Sequence, residues 1–117
     1  MFRLPVAGKT IDYSIVESDT NRCLTNALAS GAVKFTLPSA VSSVIGVHLH
    51  FSVETAQSFV IAPASADTIR IGGTASATGA NGGKITASGV GDTIHLVCTQ
   101  LTKWVSLGHE GSWTITT

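Results

Sequence analysis

Apolar and polar residues alternate along this chain in short runs, and the period is two. Residues 47–54 show it best. Val47, Leu49, Phe51 and Val53 fall on one side of an extended backbone, and His48, His50, Ser52 and Glu54 on the other. That pattern predicts a half-buried antiparallel strand. The same period turns Val33, Phe35 and Leu37 inward on a strand that Pro38 stops, and Ile69 and Ile71 inward over 67–71. β-Branched and aromatic residues predict further strands at 10–17, 59–61, 84–87, 93–98, 103–107 and 113–116. Residues 18–21 read as a polar turn, and 24–30 have room for one helical turn, too short to be a stable helix alone. Residues 72–83 form a long Gly/Ala/Ser/Thr loop, flexible by composition. The expectation is an all-β fold, an antiparallel β-sandwich, jelly-roll-like, or a barrel, of about eight short strands.

Two parts of the chain differ in character. Residues 1–9 read as an extended N-terminal arm. Pro5 and Gly8 punctuate it, yet Phe2, Leu4 and Val6 alternate and are too apolar for a free tail. Such an arm lies on something, either its own domain or a neighbour. Residues 10–117 make a single β domain. At 117 residues the chain buries roughly two thirds of its unfolded surface, enough for one core.

Composition changes the picture at the surface. Only 12% of residues are charged, against roughly a quarter in an ordinary soluble domain. Seven basic and seven acidic residues cancel to a formal net charge of zero. A surface so poor in charge resists association weakly, which points to a chain that packs against neighbours. The charges are scattered, so no basic stripe offers itself to nucleic acid. No apolar stretch reaches the roughly 18 residues of a membrane span. Residues 1–9 lack the apolar core of an export signal, so retention in the cytoplasm that makes the chain is expected. Cys23 and Cys98 fit no metal spacing and are expected as free thiols, Cys98 buried.

Chemistry is sparse. His48 and His50 are two apart on a strand, so their rings emerge on one face, as two metal ligands do. A site needs a third donor, and His95, His109 and Glu54 are the candidates. The spacing alone does not make a centre, so these histidines read as solvent or interface residues, and no metal or cofactor is expected. A pH-sensitive interface is a softer reading, because imidazoles titrate near neutrality. Neither a Gly-x-Ser-x-Gly elbow nor a His-Glu-x-x-His helix occurs. Cys98 sits in an apolar run, a poor place for a thiolate nucleophile. The echo Asp67-Thr68-Ile69 and Asp92-Thr93-Ile94 reads as repeated turn chemistry, each Asp bonding nearby amides. No catalytic residues are expected. Trp104 and Trp113 are left as candidate interface side chains beside Phe2, Leu4 and Val6, since Trp anchors interfaces or stacks on sugars.

Several segments together resemble a β-rich module of tailed-phage virion proteins. They are residues 35–40 (Phe-Thr-Leu-Pro-Ser-Ala), Gly46 with the strand holding Phe51, Ile61-Ala62-Pro63 leading into Asp67-Thr68-Ile69, residues 91–97, Trp104-Val105 and residues 110–114. The resemblance spans about residues 10–116, nearly the whole chain. It implies a non-enzymatic, often trimeric structural domain. With the module standing almost alone behind a short arm, it looks most like a capsid decoration (cement) protein. The implied partners are copies of itself, as a homotrimer, and the major capsid protein, on the virion's capsid surface. The competing implication is a receptor- or glycan-binding domain of a head or tail fibre, with Trp104, Trp113 and the 72–83 loop as its recognition surface.

Overall fold

A computed structural model describes residues 3–117; Phe2, the first apolar side chain of the arm, lies outside them. Among the described residues twelve strands form two sheets that pack face to face. One sheet contains, in spatial order, β1 (Val6–Gly8), β3 (Cys23–Thr25), β5 (His48–Ser52), β10 (Thr93–Gln100), β11 (Lys103–Glu110), β7 (Thr68–Ile71) and β8 (Thr74–Ala75). The other runs β12 (Thr114–Thr116), β9 (Lys84–Ala87), β6 (Phe59–Ala62), β4 (Val33–Thr36) and β2 (Tyr13–Ser14). The architecture is an all-β sandwich, as the two-residue period implies.

The sheets are mixed, which corrects the expectation of purely antiparallel pairing. From β1 to β6 the chain crosses from one sheet to the other at every strand. Consecutive strands of one sheet therefore run the same way: β1, β3 and β5 are parallel, and so are β2, β4 and β6. Parallel neighbours need a long crossover, commonly a helix. Here a strand of the opposite sheet serves, so the parallel pairs form without one. The later strands close the sandwich by antiparallel pairing of β10 with β5 and β11, and of β9 with β6 and β12.

The inward positions fill the space between the sheets. Phe35, Phe51 and Phe59 are buried, with Phe35 stacked on Phe59 at 4.9 Å and edge-on to Phe51 at 5.8 Å. Val47, Leu49, Phe51 and Val53 are all buried, as the alternation demands. Trp104 joins them: it is fully buried on β11, which removes it from the candidate interface side chains. Its place on the chain alternates with the outward Lys103 and Val105, and the parallel pairing with Ile69 seals it inside.

Other segments depart from expectation for identifiable reasons. Over 10–17 the ladder is only Tyr13–Ser14, because the chain turns at Val16, where the buried Asp19 carboxylate accepts from the Val16 amide at 3.0 Å and the Tyr13 hydroxyl at 2.8 Å. Within 24–30, Leu24 and Thr25 belong to β3 in register with Phe51 and Ser52, so no helical turn forms there. The 72–83 loop carries β8 and a 3-10 turn, and two of its glycines, Gly79 and Gly83, sit where backbone passes too close for a side chain. A side chain at Gly83 would collide with the Ala77 carbonyl, which backbone cannot yield. Asp92 bonds the Gly89 amide of its own turn at 3.0 Å, as expected, but Asp67 accepts instead from the distant Ala40 amide at 2.7 Å. The segment before β2 lies on its own domain: Val6–Gly8 pairs with β3, the Lys9 amide donates to the Thr25 carbonyl at 2.8 Å, and Lys9 Nζ sits 3.9 Å over the Tyr13 ring.

Candidate functional site

The outer face of the larger sheet carries its only concentration of imidazoles among the described residues. β5 and β10 are adjacent and antiparallel near the middle of that sheet, with His95 directly opposite His50 and His48 two residues earlier on β5. Register fixes this arrangement from behind. Leu49, Phe51, Ile94 and Leu96 are buried on the inner face, so a one-residue slip would drive the histidines inward and the core outward. The start of β5 is pinned as well: the His48 amide donates to Thr20 Oγ1 at 3.2 Å and its carbonyl accepts from the Asn21 amide at 2.7 Å.

The three rings make one cluster. His50 and His95 stack at 4.0 Å with their planes 11° apart, and His48 stands edge-on to both, at 5.8 and 5.4 Å. His48 Nδ1 lies 3.2 Å from His95 Nε2, and one nitrogen of each ring lies within 4.8 Å of the others. All three are half-buried. Burial lowers the pKa of His50, with the neighbouring His48 adding to it. Burial likewise lowers His95, and His50 and then His48 act in the same sense. The cause is plain: a charged ring loses water here and meets two more potential cations.

A β-bulge opens the surface beside this cluster. His95 pairs with Gly108 but Leu96 pairs with Ser106, which leaves Leu107 as an extra residue turned out to solvent. With no side chain at Gly108, a hollow of about 550 Å³ extends over Cys23, His50, His95, Gly108 and Glu110, with Leu4 on its rim. Cys23 lies opposite His50 on β3 and faces this side, whereas Cys98 faces the core, so the two free thiols point to opposite faces of the sheet.

Of the three donors the sequence offers to His48 and His50, the fold brings only His95 into the cluster; His109 and Glu54 stand apart from it. The remaining candidate interface residues are dispersed. Leu4 is half-buried, and Val6 is exposed on the edge strand. Trp113 is half-buried: its Nε1 donates to the Thr93 carbonyl at 3.0 Å and its ring stands edge-on to Phe59 at 6.0 Å, closing the sandwich as a lid. No protein-family model matches the chain, and no curated protein matches it.

Proposed function

We propose that the protein is a structural subunit of a tailed-phage virion, a capsid decoration protein that binds as a homotrimer across junctions of the major capsid protein and works mechanically, without catalysis. The observation that carries this reading is an end of the sandwich where exposed aliphatic side chains gather around a loop that carries no charge. The loop after β4 and the β10–β11 turn meet there, joined by the Thr102 amide on the Ala40 carbonyl at 3.0 Å and the Gly46 amide on the Cys98 carbonyl at 2.8 Å. From these segments Val41, Ile45 and Leu101 project with about half their surface in water, and Val16 leaves β2 toward the same end. The chain has no Asp, Glu, Lys or Arg between Lys34 and Glu54.

Such a surface neither holds neighbours off by charge nor gains from staying wet. Covering the exposed half of each aliphatic side chain yields on the order of 1 kcal/mol. Three copies, each touching shell subunits, multiply that term, since every contact must break before the shell opens. The fibre-tip alternative is weaker than the sequence implied, because Trp104 lies in the core and Trp113 donates its indole N–H to the Thr93 carbonyl.

The test is mass and binding in solution. Sedimentation equilibrium of the full chain is expected to give three times the monomer mass, and the protein is expected to cosediment with shells assembled from the major capsid protein of the same phage. A monomer at high concentration that ignores such shells, or a protein that binds a glycan array, overturns the reading.

A further inference from the structure

We propose that His48, His50 and His95 are the three protein ligands of a site for one divalent late first-row transition-metal ion, Zn²⁺ being the reference case. The site departs from the sequence expectation of no metal, and it stands independently of the virion reading. Its ligands are imidazoles, the donors that suit Zn²⁺, Ni²⁺ and Cu²⁺, with no carboxylate in the set to favour Ca²⁺ or Mg²⁺.

The geometry supports ligation in three ways. First, two nitrogens of a tetrahedral zinc centre lie about 3.3 Å apart for Zn–N bonds of about 2.0–2.1 Å. His48 Nδ1 and His95 Nε2 are already 3.2 Å apart. The remaining separations do not exceed 4.8 Å, a gap within reach of side-chain rotation of the half-buried rings. Second, the ligands stand on adjacent, register-locked strands near the centre of the sheet, so the order of these rings is already supplied by folding. Third, the bulge at Leu107 and the bare Gly108 leave the hollow beside His50 and His95 open. Three protein ligands and an accessible fourth position describe a site that holds water or an outside donor in addition to the protein.

An edge-on and stacked group of imidazole rings that holds no metal is the competing explanation, since paired strands bring like side chains together without purpose. The two differ in a measurement. Tag-free full-length protein, stripped with chelator and dialysed, is titrated with Zn²⁺ by calorimetry and with Co²⁺ by visible absorption. One ion per chain is expected, with Co²⁺ giving the intense d–d bands of a four-coordinate centre. His95→Gln and His50→Gln are each expected to weaken binding about tenfold or more. His109→Gln and Cys23→Ser are expected to leave affinity and stoichiometry unchanged, which separates the triad from the other donors around the hollow. Circular dichroism establishes that each variant keeps its strands. Binding that survives the His50→Gln/His95→Gln double variant, binding that is lost with Cys23→Ser, or a titration with no saturable site overturns the proposal.

Discussion

At the scale of single residues, the buried polar groups explain more than the few charges on the surface. Tyr13 donates its hydroxyl proton to Asp19, and that bond, reinforced by burial and by the carboxylate's own charge, raises the phenol pKa above its ordinary 10.0. Cys98 is raised above its ordinary 9.0, first by burial in the core, against a smaller opposing backbone hydrogen bond from Gln100. In both cases the folded chain holds the proton more tightly than the unfolded chain does. The unfolded chain therefore releases protons first as pH rises, and folding stability falls. The contribution is whole below about pH 9, the ordinary thiol value, and is lost as pH climbs through the raised folded values. Urea midpoints measured from pH 8 to 11 are expected to decline over that window. Cys98→Ala lessens the lower part of the decline, which the raised thiol of Cys23 shares, and Tyr13→Phe the upper part, whatever each does to stability at pH 8. A profile level to pH 11 would contradict the assigned environments.

Between elements, one side chain ties the end of β3 to the end of β5. Asn26 is fully buried, and its Oδ1 accepts from the Glu54 and Thr55 amides at 2.8 and 3.0 Å while Nδ2 donates to the Thr55 carbonyl at 2.9 Å. Asn26→Ala leaves three backbone groups of that turn without partners. The expected loss is about 2–4 kcal/mol, read from the urea midpoint at unchanged slope, because each buried unsatisfied group costs about 1–3 kcal/mol. A loss below 1 kcal/mol would mean that water replaces the amide freely. Asn26 also marks the boundary of what the sequence discloses. The alternation in 47–54 and 93–98 fixes which side chains face the core, so the outward facing of His48, His50 and His95 is legible. Their meeting is not, because nothing local states that β10 pairs with β5 and places His95 opposite His50. Long-range polar contacts such as those of Asn26 and Asp67 are silent for the same reason. The residues flanking Trp104 satisfy either facing, and only its parallel pairing with β7 decides it.

For the molecule as a whole, the question is why a folded sandwich leaves aliphatic side chains in water at the end where the charge-free loop lies. Folding does not require it. Val41, Ile45 and Leu101 are about half exposed while the core behind them, including Val44 and Val47, is already sealed. Replacing Leu101, which is 57% exposed, by Asp therefore costs the isolated fold little, within about 0.5 kcal/mol for a surface position. In an assembled trimer the same carboxylate would be brought near its two copies and stripped of water, a penalty of several kcal/mol per ion in a closed interface. If the chain assembles as proposed, Leu101→Asp is expected to convert the trimer to monomer in sedimentation velocity while the thermal midpoint of the dilute protein stays within a few degrees of the parent. Val6→Asp, on the edge strand away from this end, is the matched control and is expected to retain the trimer. If Leu101→Asp sediments as the parent does and Val6→Asp dissociates, the contact runs along the β1 edge and the aliphatic end faces something other than a second copy.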